Sequence, residues 1–168
     1  MSSAAAISVT VCGRERIEAG PFTFEFLDIT HSVPGTFALA IGTPAGTIVH
    51  SADFKLDPEP IAGPASDLGR FAELGRDGVK LLLLDSTNAS REGTTPPEST
   101  VGKAFSKTLM EAEHRVFVTT FSSHVHRIQQ FLDAAAREGR RVAAVGRRMT
   151  SALQIGRETG ALRVPSGL

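Results

Sequence analysis

FTFEFLDITHSVPGTFALAIGTPAGTIVHSADFK, residues 22–55, decides how the first third of this chain folds. Phe22, Phe24 and Phe26 alternate with Thr23 and Glu25, the period of two that sends successive side chains to opposite faces of a strand. Phe37 to Ile41 and Thr47 to Ser51 flank Thr43-Pro44-Ala45-Gly46, and the whole reads as a hairpin. His31 and Asp53 each stand just past a strand-like run. That placement can bring an imidazole and a carboxylate together at one end of a sheet. Both residue types ligate first-row metals, and an Asp can bridge two ions while a neutral His serves one. The pair therefore suits part of a dinuclear hydrolytic centre, though not the whole of one.

Length and composition narrow the class. With 168 residues, 41% of them hydrophobic, the chain is long enough for an ordinary domain and its core. Eighteen basic residues balance eighteen acidic ones, so net charge gives no sign of nucleic-acid binding. The cluster Arg137, Arg140, Arg141, Arg147 and Arg148 is the one local electrostatic hint. A single Cys12 excludes an intrachain disulfide and a cysteine-based zinc knuckle, which fits a reducing compartment. No apolar run approaches the roughly 18 residues of a membrane span, and the alanines near the N-terminus lack the basic start and long apolar core of a signal peptide. The expected location is cytoplasmic, away from any membrane.

Beyond residue 55 the pattern changes. Residues 57–78 are rich in Pro and Gly and read as connection, with a short helix over Asp67 to Leu74. Lys80 to Leu84 is a compact apolar run ending at Asp85, the signature of a strand buried on both faces. After the loop at 93–97, helix and strand alternate. Glu98 to His114 reads as helix, Val116 to Thr120 as strand, and Ser123 to Glu138 as helix with Ser122 or Ser123 as N-cap and Gly139 as stop. Arg141 to Val145 reads as strand and Met149 to Glu158 as helix. Strands separated by such helices predict a parallel βαβ arrangement with functional groups at the C-terminal strand ends. The tail from Val164 to Leu168 is expected to fray.

Four words in this order, THSVP at 30–34, HSADFK at 50–55, LLLLDSTNAS at 81–90 and TTFSSHVHRIQ at 119–129, closely resemble the ribonuclease J family. The resemblance runs from about Gly20 to about Met149. It implies an α/β fold in which part of a metallo-β-lactamase β-sandwich, expected over 1–97, runs into a β-CASP βαβ region over 98–168. It implies hydrolysis of RNA phosphodiester bonds with two divalent ions, zinc or manganese, and RNA and further copies of the chain as partners.

Each residue has a plainer reading beside the one the resemblance implies. Alone, His31 is an ordinary strand-end histidine; in the family the His of the THSVP word holds one metal and the Asp of the DFK word, here Asp53, bridges both. Ser51-Ala52 stands where many relatives read Thr-Gly, a change among small residues that should not displace the carboxylate. Asp85 alone caps the turn that follows it; in the family the acid ending this strand helps a histidine protonate the leaving oxygen, which makes Asp85 the catalytic candidate. Ser122 and Ser123 alone cap a helix, and His124 and His126 diverge on it, so a shared ion there is disfavoured. A helix N-terminus also receives phosphates, which makes Ser123, His126 and Arg127 candidate RNA contacts. Relatives often have Asn where His124 stands. Gly146-Arg147-Arg148-Met149 is similar to the family's Gly-Arg-Ser-Met word, and Arg147 either faces substrate or is simply solvated. His50 and His114 receive no role.

The family's main metal word, His-x-His-x-Asp-His, is nowhere in the 168 residues, nor is a downstream His-Thr-Ser-Gly-His-Ala-type word. The expectation is an internal piece of a longer enzyme, inactive by itself. Its rivals are a catalytically silent RNA-binding or assembly module of the same fold and, more weakly, a metallo-β-lactamase-type hydrolase of small esters.

Overall fold

The structure, a computed structural model, describes residues 9–164, which divide into two units. The first draws on the stretches up to Asp28, Phe37–Ala52 and Asp67–Asp85. It holds a five-stranded sheet of β1 (Arg16–Ala19), β2 (Phe22–Asp28), β3 (Phe37–Thr43), β4 (Gly46–His50) and β5 (Val79–Leu83), in the order β1-β2-β3-β4-β5, together with helix α1 (Leu68–Asp77). The first three pairings are antiparallel and β5 joins β4 in parallel. Turn chemistry sets the register. Gly20, at φ 60°, lets a two-residue turn close β1 on β2. Between β3 and β4 the Thr43 hydroxyl donates to the Gly46 carbonyl (2.7 Å) and accepts from the Ala45 N–H (3.1 Å), so the expected hairpin is present.

The alternation in β2 is real, but the better-buried face is the one without the phenylalanines. Glu25 and Leu27 are buried, and opposite them in register lie the buried Ala40 and Ala38, with Val49 beyond Ala40. Phe22, by contrast, is 42% exposed. A carboxylate is tolerated on the buried face because Arg70 of α1 grips it with two nitrogens, Nε to Oε1 at 2.8 Å and Nη2 to Oε2 at 3.0 Å, and Arg16 adds a third contact at 3.0 Å. The helix that delivers Arg70 is begun by Asp67, whose carboxylate accepts the Arg70 N–H (3.1 Å) and pairs with Arg14 (2.7 Å). Gly78, at φ 99°, ends it.

One strand departs from expectation. The run Leu81–Leu84 is not buried on both faces: these leucines are 46–57% exposed. β5 is last in the sheet order, flanked by β4 alone among the described residues, and the leucines on both its faces stand largely uncovered.

The second unit draws on Ile29–Thr36, Asp53–Ser66 and the chain from Ser86 onward. It contains α2 (Ser99–Glu111), α3 (Val125–Arg137) and α4 (Arg147–Glu158). Leu109, Ala134 and Ala135 form one buried cluster with Phe105, Val116, Phe131 and Val142 against it. Ile128, Leu132 and Leu162 form another. Ile128, Leu132 and Ala135 recur at helical spacing, which is how α3 serves both clusters. Phe105 of α2 and Phe131 of α3 meet edge to face, ring centroids 5.4 Å apart. The expected strands at Val116–Thr120 and Arg141–Val145 carry no ladder. A strand needs a partner for its backbone groups, and neither segment finds one among the described residues. Val116 and Val142 pack inward while Phe117 is 91% exposed. Beyond Val164 the tail lies outside the described residues.

Leu27→Ala should cost about 2–5 kcal/mol, whereas Leu82→Ala should cost less than about 1 kcal/mol, by urea denaturation of each variant. The Glu25 carboxyl is held below its ordinary range by its hydrogen bonds to Arg70, against the opposing effect of burial. Its pairing therefore contributes stability above the unfolded-state glutamate pKa and loses it as pH falls through the lowered folded value. The stability gap between wild type and Glu25→Gln should be level near neutral pH and close as pH falls below the ordinary glutamate range, read from denaturation midpoints on both sides of it.

Candidate functional site

Thr30, the residue before His31, is the point where the His31 stretch meets the Asp53 stretch. It is 8% exposed and every polar atom it has is paired. Its carbonyl accepts the Lys55 N–H (2.8 Å), and its N–H donates to Ser66 Oγ (3.0 Å). Its hydroxyl donates to the Lys55 carbonyl, accepts the Asp57 N–H (3.2 Å) and meets Ser66 Oγ at 2.9 Å. His31 follows Thr30 directly and Asp53 precedes Lys55 by two residues, so these bonds tie together, within one unit, the stretches that carry the two candidate ligands.

The two side chains differ in setting. His31 is half-buried, and its Nδ1 is buried with no hydrogen-bond partner, while Nε2 lies 3.3 Å from Ser32 Oγ. A buried ring nitrogen without a partner is costly, and a metal ion would satisfy it. Asp53 is exposed, and its carboxylate suits a hard or borderline divalent cation. The residues thus fit two positions of a metal centre. Among the described residues no group of three or more His, Cys, Asp or Glu gathers to hold an ion.

From the same stretch runs a buried ionic network that the sequence reading did not single out. The Asp57 carboxylate accepts the N–H groups of Glu59 (3.0 Å) and Glu98 (2.8 Å), and the Lys55 ammonium lies 3.3 Å away. Burial pushes the Asp57 carboxyl up, yet those donors more than offset it and hold it below the ordinary range. Glu98, 7% exposed, stands just before α2. Its two oxygens accept a fork from Arg127, Nε at 2.7 Å and Nη2 at 2.8 Å, with Lys55 at 3.7 Å and His124 Nε2 at 3.5 Å. Here too burial opposes ionisation, and Arg127, His124 and Lys55 together bring the carboxyl below its usual value.

The SSHVHR word lies at the start of α3, but its cap is neither serine. His124 is the N-cap, its Nδ1 accepting the Arg127 N–H at 3.4 Å. An imidazole acceptor here does the capping work of a short polar side chain, and Gly139, at φ 63°, ends the helix as expected. Burial lowers the pKa of His124 and outweighs the opposing pull of Glu98, so the ring is neutral near pH 7, and the two contacts assign its proton to Nε2. His126 is half-buried in the first turn and is likewise lowered by burial. Ser123 is exposed beside it, and Arg147 is exposed at the start of α4. Arg127 is the exception among the candidate RNA contacts, with its guanidinium committed to Glu98.

Asp85 lies in the other unit, just past β5. Its N–H donates to Ser51 Oγ (2.9 Å), while the Ser51 N–H donates to the Leu83 carbonyl (2.9 Å). Buried Ser51 thus carries the pairing of β4 and β5 one step past their ends and sets the backbone at Asp85.

The only sequence signals for the network were the Lys55-x-Asp57 spacing after Asp53 and an acid placed just after Pro96-Pro97 at a helix start. Neither names its partner.

The profile of the ribonuclease J β-CASP domain matches residues 113–168. A ribonuclease J of Thermus thermophilus is 47% identical over 155 residues, covering 92% of this chain and 27% of its own length. Ribonuclease J of Helicobacter pylori is 46% identical over 149 residues, 89% of this chain and 22% of its own, and that of Mycolicibacterium smegmatis 45% over 156 residues, 93% and 28%. The chain thus spans about a quarter of the length of these relatives. Among solved structures, a protein of unknown function from Enterococcus faecalis V583 superposes with a TM-score of 0.61 at 15% identity over 95% of this chain and 37% of that one, a likeness of fold alone.

Thr30→Val should cost about 1–3 kcal/mol, because the Asp57 N–H and the Lys55 carbonyl lose their buried partner, and Thr30→Ser should recover most of it. Urea denaturation of the two variants beside wild type checks both.

Proposed function

The chain belongs, over the part that those relatives match, to the ribonuclease J family, and we propose on that footing that it forms part of a metal-dependent hydrolase of RNA phosphodiester bonds acting in RNA processing and decay. The observation that carries this reading is the pairing of the His31 and Asp53 stretches through Thr30, with the His31 Nδ1 left buried and unpartnered beside it. In this reading His31 and Asp53 hold divalent cations. When bound, zinc or manganese ions supply Lewis-acid neutralisation of the charge that develops at the scissile phosphate. Asp85 orients a histidine that protonates the leaving oxygen. Ser123, His126 and Arg147, at helix starts, receive backbone phosphates of RNA. Arg127 acts on RNA indirectly, through the position it gives the first turn of α3.

A silent RNA-binding module is the second reading, and it is favoured by one fact. Two ligand positions among the described residues leave most of a dinuclear centre to water, so neither ion is held in the geometry that aims a nucleophile. For the 168 residues by themselves, the two readings make the same forecast.

The purified chain should bind Mn²⁺ or Zn²⁺ weakly and show no turnover of labelled 5′-monophosphorylated RNA beyond that of an Asp53→Asn control. Clear cleavage by wild type that Asp53→Asn abolishes would mean that another copy or unrecognised residues complete the site. Mn²⁺ that leaves the NMR resonances of His31 and Asp53 unbroadened at millimolar concentration would remove these two residues from the metal assignment.

A further inference from the structure

We propose that Glu98 is a positioning residue that fixes the Asp53-bearing stretch against the first turn of α3, so that one residue, through its backbone N–H and its carboxylate, sets both the candidate metal ligands and the candidate RNA contacts. The proposal rests on the functional reading above. Its geometry does not.

Glu98 works through two groups at once. Its backbone N–H is held by Asp57 Oδ2 (2.8 Å), and the Asp57 N–H is held in turn by the Thr30 hydroxyl (3.2 Å). Its carboxylate grips Arg127 with a two-point fork and reaches Lys55 (3.7 Å) and His124 (3.5 Å). Every step of this path, from Thr30 through Asp57 and Glu98 to Arg127, is a contact inside one unit. At one end stand His31 and Asp53, and at the other Ser123 and His126.

Stability alone is a poor account of such a cluster. Four ionisable groups, Lys55, Asp57, Glu98 and Arg127, are gathered with both carboxylates less than a tenth exposed. Replacing buried ion pairs by packed apolar residues is commonly neutral or stabilising, because removal of charges from water offsets most of their attraction. A fully paired polar network does something an apolar cluster cannot, which is to accept one arrangement of its members and penalise every other. The planar fork between Arg127 and Glu98 sharpens this, since a shift of either helix start by about an ångström breaks one of two parallel bonds. Nothing comparable ties Asp53 itself, which is exposed in a loop. Its place depends on Lys55 and Asp57, the next anchored residues along the chain.

Three variants of the full chain, each first checked for retained fold by circular dichroism, test this: Glu98→Gln, Arg127→Lys and, as a control in the other unit's ion pair, Glu25→Gln. Amide NMR spectra are recorded without metal and then with Mn²⁺. In Glu98→Gln, amides of Thr30, Lys55 and Asp57 should move together with those of Val125 to Arg127, although the two groups are far apart in sequence. Mn²⁺ affinity, read from broadening at His31 and Asp53, should fall. Arg127→Lys keeps the charge but loses the fork, and should shift the same amides by less. Glu25→Gln should change neither. Amide shifts confined to α2 and α3, with Thr30, Lys55 and Asp57 unmoved, would overturn the proposal, as would an equal loss of Mn²⁺ affinity in the control. Should Glu98→Gln fail to fold, Arg127→Lys gives the same decision. If Mn²⁺ leaves His31 and Asp53 of the wild type unperturbed, the metal assignment fails by itself, and the metal-free amide shifts still decide whether Glu98 couples the two ends.

Discussion

The hydroxyl of Thr30 is the constraint on which the candidate site depends. It is buried, so each of its bonds must be made inside the protein, and the geometry that makes them leaves little freedom to the stretches that supply the partners. Those partners are the backbone of Lys55 and Asp57 and the side chain of Ser66. A valine would fill the same space and satisfy none of them. The stretches that carry the two candidate ligands are joined by this residue.

Both units solve a similar problem in a similar way. In the first, Glu25 sits on the buried face of a sheet, gripped by the fork of Arg70. In the second, Glu98 sits buried before α2, gripped by the fork of Arg127. In each case burial alone would push the carboxyl towards neutrality, and the guanidinium reverses that. The arginine in each pair comes from the first turn of a helix, so the pair also fixes where that helix begins. Set against packed apolar residues such pairs add little net stability, but they penalise alternative packings, which matters for elements that present ligands or phosphate contacts.

Much of this was legible in the chain. The hairpin at Pro44-Ala45, the helix opened by Asp67, the helix closed by Gly139 and the strand ending before Asp85 follow from local rules of turns, caps and periodicity, and all are present. The positions His31, Asp53 and Asp85 just past strand runs were legible for the same reason. Burial was not. The alternation in β2 did not say which face is inside, and it is Glu25 that is buried; the leucines of β5 read as a double-sided core, yet Leu82 is half-exposed. Hydrophobicity states what a side chain prefers, while the sheet order decides which faces find a neighbour.

Local pattern, then, determined the helices and the hairpin strands and where the chemically capable residues fall along them, because turns, caps and side-chain periods act over a few residues, while the strands it suggested at 116–120 and 141–145 carry no ladder. The tertiary structure alone decided who meets whom. That Glu98 would find Arg127 twenty-nine positions later, that Asp57 would hold a backbone N–H forty-one positions away, and that His124 rather than a serine would cap α3 are outcomes of chain segments packing across long separations. No local rule encodes them, since a buried charge announces neither its burial nor its partner until the chain has closed around it.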